Sequence, residues 1–215
     1  MRIALLGATG RTGTEFMEQA LAAGNEVVAY VRRPEALGAR PGLSVVGGQL
    51  DDRNAVKGAL AGCDAVAVTL GPKISQRNAP IMATAMPPVI AAAKENGVKR
   101  IVVLSALGVG DTFENTQYPY RFGCRTFLAS NFRDHVAGES QLVGSGLDWT
   151  TVHPGPLSDA PRTPHPLIVD AATGRQMPRA PRTRRSDVAA AMLAMIEDSS
   201  TFGKQMLITS AVQAA

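Results

Sequence analysis

The sequence predicts an α/β protein with a doubly wound, mostly parallel sheet covered by helices on both faces. Three observations carry that expectation. Strand and helix signals alternate through the first half of the chain with the regularity of βαβ units. The central apolar runs, such as residues 101–104, lack polar alternation, as buried parallel strands do. A glycine-rich turn, Gly7 to Gly13, joins the first strand to the first helix.

Taken in order, residues 2–6 are a short apolar run ending at Gly7, which suits a buried first strand. Residues 12–23 have helical propensity, and Gly24-Asn25 supplies the stop. Residues 26–31, β-branched and apolar, form a second strand, and 43–46 a third. A helix over 52–61 ends at Gly62, and a fourth strand over 65–70 closes at Gly71-Pro72. Residues 81–96 are Ala-rich and helical, with Pro87-Pro88 expected to interrupt or kink them. The fifth strand, 100–105, is the clearest, and a helix over 132–144 leads to a sixth strand at 148–153. From Pro154 to Arg185 proline and arginine dominate, and only 167–170 keeps a pattern. A last helix over 186–197 opens with Ser186 and Asp187 where a cap belongs, and 206–209 makes a final strand.

The 215 residues fit one domain, 1–215, whose loop-rich C-terminal portion could roof a ligand crevice. At 45% hydrophobic and 19% charged, the chain matches a globular composition, and its apolar runs are strand-length rather than membrane-length. Met1 leads straight into a strand, so no leader is expected and the cytoplasm is the expected place. Cys63 and Cys124 have no metal or redox spacing and read as reduced, structural thiols, and no metal site is expected. The net charge of +4 includes a crowd of arginines between Arg162 and Arg185. With only 5% aromatics, that crowd suits a solvated loop or an anionic small ligand better than nucleic acid.

Gly7-Ala8-Thr9-Gly10-Arg11-Thr12-Gly13 carries the main functional signal. Glycines there make a tight turn, let backbone approach a pyrophosphate, and let helix and strand pack closely. The helix N-terminus adds unpaired N–H groups and positive dipole. A strand before and a helix after satisfy the context that a dinucleotide fingerprint requires. An NAD site places an acidic residue after the second strand to hold the ribose hydroxyls. This chain has Arg32-Arg33 instead, and a guanidinium can bind a 2′-phosphate that a carboxylate would repel. The plain alternative is a solvated arginine pair. NADP(H) is the expected cofactor.

These residues resemble a known family. The glycine loop, the Val31-Arg32-Arg33 run, Asp64 to Gly71, Gly97 to Ser105, Ser145 to Gly155 and Arg185 to Ala189 match atypical short-chain dehydrogenases/reductases with an NmrA-like NAD(P)-binding fold. Within that group, length and motif order are similar to the biliverdin reductase B, or flavin reductase, branch. The resemblance implies that Gly7, Thr9, Gly10, Arg11 and Thr12 hold the pyrophosphate and Arg32 and Arg33 the 2′-phosphate. It places Leu70 and Gly71 at the ribose, and Ser105 and the His153-Pro154-Gly155 turn near the nicotinamide. Where the family usually has Gly-Asp at the adenine, this chain has Gly48-Gln49, followed by Leu50 among the cofactor-binding positions. Where the family often has Arg-Pro-Gly, it has His153-Pro154-Gly155.

The Tyr-x-x-x-Lys pair of ordinary short-chain dehydrogenases is absent. Judged by the downstream Glu139…Leu142…Ser145-Gly146 pattern, Asn131 stands at the Tyr position and His135 at the Lys position. Alcohol–ketone chemistry on this fold needs that tyrosine as general acid or base. Hydride transfer to a conjugated acceptor, such as a flavin, a tetrapyrrole or a quinone-like ring, asks less of the protein. The expected partner is therefore a small conjugated or aromatic acceptor, with no nucleic acid or membrane, and the chain a monomer or homodimer. Ser105, His135 and His153 are the candidate catalytic side chains, with His153 expected at a strand end facing the crevice. Phe113, Tyr118, Tyr120 and Phe122 could form a flat wall for the acceptor or pack a loop. A non-catalytic NADP-binding sensor is the competing class. A nucleotide-sugar epimerase or lyase is disfavoured, since such relatives keep the tyrosine.

Overall fold

The computed structural model describes residues 1–71 and 79–210. Pro72, expected to close the fourth strand, lies outside them. The β-strands are β1 (Arg2–Leu6), β2 (Glu26–Val31), β3 (Leu43–Gly47), β4 (Ala65–Val68), β5 (Arg100–Leu104), β6 (Asp148–Pro154), β7 (Leu157–Ser158), β8 (Leu167–Asp170), β9 (Thr183–Arg184) and β10 (Lys204–Thr209). The helices are α1 (Arg11–Ala22), α2 (Arg53–Leu60), α3 (Ile81–Glu95), α4 (Tyr120–Arg125), α5 (Ala129–Val143) and α6 (Arg185–Glu197).

Eight strands form one sheet in the order β3-β2-β1-β4-β5-β6-β10-β8, all parallel except β8 against β10. This is the expected doubly wound Rossmann-type sheet. Alternate side chains of each strand serve the two faces. Ile3 and Leu5 pack with Phe16 and Met17 of α1 and Val188, Met192 and Ile196 of α6. Ala4 and Leu6 pack with Val56 and Leu60 of α2, Met82 and Met86 of α3, and Leu142 of α5. Both faces being dry is why these strands carry no polar alternation.

Four local expectations change. α3 runs unbroken through Pro87 and Pro88. It is held from both sides, with Met82, Met86 and Val89 in the core, and with Met82 and Met86 against Gly138 of α5, so packing outweighs two missing backbone bonds. Ser186 and Asp187 are not caps but lie inside the first turn of α6. Buried Asp187 instead accepts from the Thr163 N–H at 2.8 Å and the Ser210 hydroxyl, tying two loops to the helix. α5 starts at Ala129, earlier than residue 132, and α4 precedes it. The patterned stretch Leu167–Asp170 becomes the antiparallel edge strand β8.

A buried arginine joins the far half of the sheet to α6. Arg100 donates to the Asp148 carbonyl at 2.7 Å, to Thr150 Oγ1 at 2.8 Å and to Thr201 Oγ1 at 3.1 Å. It also donates to the carbonyls of Met195 and Ile196, closing the C-terminal turn of α6, and lies over the Phe202 ring at 4.4 Å. Burial pulls it down to about 10, still charged at neutral pH. Arg100→Met should leave these oxygens without donors and cost about 3 kcal/mol. Thermal unfolding should show it as a fall in Tm of roughly 6–12 °C.

Candidate functional site

The carboxyl ends of β1, β2 and β4 open into a cleft of about 240 Å³. Gly7, Thr9 and Gly10 line it from the glycine loop, Arg32 and Arg33 from the end of β2, Gly48 and Leu50 from the loop after β3, and Leu70 and Gly71 from the loop after β4. Most of the residues expected to touch a dinucleotide thus surround one space. A larger hollow of about 740 Å³ between α1 and α6 lies at the strands' amino ends, by Met1, Asn25 and Glu197, away from every predicted site residue.

The glycine loop is set by contact distances. Gly7 has φ +94°, and a Cβ there would stand 2.7 Å from Thr69 Oγ1. A Cβ on Gly13 would stand 2.1 Å from the Gly7 carbonyl oxygen. Gly10 is looser, with its nearest contact at 3.2 Å. Gly10 is also the N-cap of α1, has no side chain to cap it, and no acidic residue stands in the first turn. The first N–H groups of the helix therefore face the cleft side with no protein anion to satisfy them. Thr12 is buried in that turn. The Arg11 side chain does not turn into the cleft but pairs with Asp159 at 2.9 Å, and Asp159 also pairs with Arg185. The loop after β7 thereby reaches back to the phosphate loop.

At the adenosine end, Arg32 and Arg33 are exposed and form no ion pair with any described residue. Tyr30, which sequence reasoning passed over, shapes this end. Its hydroxyl donates to the Gln49 carbonyl at 2.6 Å, and a Cβ on Gly48 would stand 2.2 Å from that hydroxyl. Gln49 itself is exposed and Gly48 and Leu50 line the cleft, so Gln49 is fixed through its backbone.

At the centre of the sheet the catalytic candidates meet a residue sequence reasoning used only as a landmark. The Ser105 hydroxyl, at the end of β5, donates to Glu139 Oε1 of α5. His153 Nε2 lies 4.0 Å from the same oxygen. Glu139 is 6% exposed, and burial pushes its carboxyl up to about 7, against the Ser105 hydrogen bond and helped by Asp111. The expectation that His153 faces the crevice is corrected: it is 0% exposed. Its Nδ1 donates to the Ala106 carbonyl at 3.0 Å, which leaves Nε2 to accept from the Thr151 hydroxyl at 2.8 Å. Burial pulls it down to about 4, so it is neutral. Pro154 and Gly155 are buried too, the latter against Pro181, where a Cβ would meet backbone at 2.8 Å.

His135 is 7% exposed, and its Nδ1, like Asn131 Oδ1, has no hydrogen-bond partner among the described residues. Burial lowers its pKa, opposed by Asp134. The aromatic wall does not form. Tyr118 and Phe122 are exposed, Tyr120 is pinned through its hydroxyl to the Leu107 carbonyl at 2.9 Å, and Phe113 lies beneath Arg121 and Arg125. Phe113 and Tyr120 pack loops, while Tyr118 and Phe122 stand in solvent. The signal that could have pointed to Glu139 is its spacing: Asn131, His135 and Glu139 recur every four residues on one helix face.

A family model described as NAD(P)H-binding matches residues 7–199. The chain belongs to this NAD(P)H-binding family. Sterol demethylase protein B of Methylococcus capsulatus is 28% identical over 97% of this chain and 70% of its own length. Among solved structures, ChuY, an anaerobilin reductase from Escherichia coli O157:H7, superposes with a TM-score of 0.83 at 23% identity, covering 100% of both chains. A short-chain dehydrogenase/reductase of Veillonella parvula in complex with NADP gives 0.80 at 16% identity, covering 100% of this chain and 96% of that one. The family and these folds make the chain an NAD(P)H-binding protein with a Rossmann-type fold. Among the described residues no helix is long and apolar enough to cross a membrane.

Two outcomes are expected from the loop and the carboxyl. Gly13→Ala should abolish dinucleotide binding and lower Tm, while Gly10→Ala should fold normally, read by nucleotide fluorescence and thermal melts. Glu139, raised from 4.5 to about 7, contributes stability that is full below its unfolded value and lost as pH rises through about 7. Melts of Glu139→Gln across that window should lack this decline, and an unchanged slope would show that the carboxyl is ionised throughout.

Proposed function

We propose that the chain is an NADPH-dependent oxidoreductase that passes hydride to a conjugated acceptor of the flavin, tetrapyrrole or quinone-like class. The observation that carries the cofactor reading is the lining of the cleft: two arginines without carboxylate partners, no acidic side chain, and a helix N-terminus with no protein anion. A 2′-phosphate fits Arg32 and Arg33, and a pyrophosphate fits the N–H groups after Gly10. Leu70 and Gly71 would flank the ribose, with Gly48 and Leu50 on the adenine side.

NADPH, when bound, supplies the hydride, and the protein orients the two rings and controls the proton. Ser105 follows β5, the strand paired with β4, whose own following loop supplies Leu70 and Gly71 to the cleft. Ser105 is buried and does not line the cleft, and in this reading it is the hydroxyl assigned to the nicotinamide end. Among the predicted candidates, His153 serves as a buried, neutral prop for this strand end rather than as a donor to the acceptor. The absent Tyr-Lys pair argues against simple ketone substrates, and the similarity to an anaerobilin reductase supports a conjugated one.

Steady NADPH oxidation with FMN or a bilin, and with NADH as control, tests the proposal. Turnover favouring NADPH is expected, with Arg32→Asp lowering that preference by about 10–100-fold. Tight NADPH binding without turnover on any acceptor would replace the reductase with the sensor reading. An Arg32→Asp variant that keeps its preference would remove the arginine from the cofactor assignment.

A further inference from the structure

Among the described residues no Lys or Arg pairs with the Glu139 carboxyl. Its described neighbours can be named in turn. From the end of β5 comes the Ser105 hydroxyl, from β6 the neutral His153, and from the turn at residues 110–115 Asp111, which opposes ionisation. On its own helix His135 is buried, with burial favouring its neutral form, and Asp134 turns away to accept from the N–H groups of Met82 and Ala83 at 2.9 and 3.0 Å. α3 presents Met82 and Met86 to α5, and its charged residues, Lys94 and Glu95, stand at its far end. α4 carries Arg121 and Arg125, both stacked on Phe113. A carboxylate so placed has no compensating charge among the described residues, and an acid buried in such surroundings keeps its proton.

We propose that Glu139 is the proton store of this site and that Ser105 is its outlet to the acceptor. The inference rests on the reductase reading and deepens it by naming the source of the proton. Ser105 touches the acceptor, and Glu139 acts through it as a positioning and proton-holding residue. In the step, the acceptor gains hydride with its electron pair at one atom and is reduced, while the dinucleotide is oxidised. A heteroatom conjugated with that atom takes the Ser105 hydroxyl proton. With Glu139 protonated and the serine hydroxyl turned to the acceptor, the Ser105–Glu139 hydrogen bond runs the other way, the carboxyl O–H donating to Ser105 Oγ. As the serine O–H bond breaks, Ser105 Oγ takes that carboxyl proton. Glu139 is left as a carboxylate and regains a proton from solvent. This arrangement supplies a proton in place of the phenol–lysine pair, whose positions hold Asn131 and His135, and it suits acceptors whose reduced form needs one proton on a ring heteroatom.

The test has one arm without cofactor and one with it. In the nucleotide-free protein, infrared spectroscopy should show a buried carboxyl C=O band that is half-titrated at about pH 7 and missing in Glu139→Gln. In single-turnover reduction of FMN or a bilin under saturating NADPH, the wild-type rate should fall as pH rises through the same value. Glu139→Gln, which can still accept from Ser105, should be slower by about 100-fold with a flat profile and an unchanged Kd for NADPH. Ser105→Ala should show the same flat, slow profile while keeping the carboxyl band, and it stands in should Glu139→Gln fail to fold. A Glu139→Gln enzyme with the wild-type rate and profile would overturn the proposal, as would absence of the band. A wild-type protein that binds NADPH but reduces neither acceptor would overturn the reductase reading itself, and the proton assignment with it.

Discussion

α1 crosses the ends of β1 and β4 so closely that only a hydrogen atom fits at Gly13, because a Cβ would lie 2.1 Å from the Gly7 carbonyl. That approach fixes where the helix N-terminus points and sets Gly7 in the left-handed region against Thr69. Thr69 in turn donates to the Leu6 carbonyl at 3.0 Å, so the crossing closes on itself through β4 and β1. The shape of the cleft and the placing of the unpaired helix N–H groups beside it follow from this one contact. Since α1 also packs broadly on α6, the same contact connects the cofactor end of the molecule to the Arg100 network at the other.

The two halves of the sheet then divide the chemistry. β1 to β3 build a site from backbone and exposed cations, which suits recognition of phosphate. β5 and β6, with α5 packed against them, carry buried polar groups held away from water: Ser105, Glu139, Thr151 and His153. In a low-dielectric surrounding each hydrogen bond there is stronger and each unpaired charge costs more. This is why the second half can hold a proton at neutral pH while the first half holds charge.

What is legible in the sequence follows this division. Gly7, Gly10, Gly13, Arg32 and Arg33 are placed by local geometry, at fixed distance from a strand end, so spacing alone predicts where they stand. The parallel sheet is legible because dry faces on both sides leave continuous apolar runs. Glu139 is not, since an acidic residue at helical spacing reads as solvent-facing until the fold turns that face inward against β5 and β6. His153 misleads for the same reason: a strand end can face a crevice or a covering loop, and residues 106–112 cover this one. Tyr30 and Gly48 depend on a contact between separate loops that no local pattern encodes.

The departures from the family pattern in this half of the sheet are coupled. An arginine at position 153, as the resemblance leads one to expect, would set a permanent cation beside Glu139 and hold its carboxyl ionised. Histidine, buried and tied through Nδ1 to the Ala106 carbonyl, stays neutral and gives Glu139 no counter-charge. The missing tyrosine removes the ordinary proton donor, and the missing arginine lets a carboxyl take up that task. Each change alone weakens the site, the first by losing an acid and the second by stranding one. Together they exchange a phenol activated by a cation for a carboxylic acid kept neutral by burial, which leaves the cofactor half of the fold untouched.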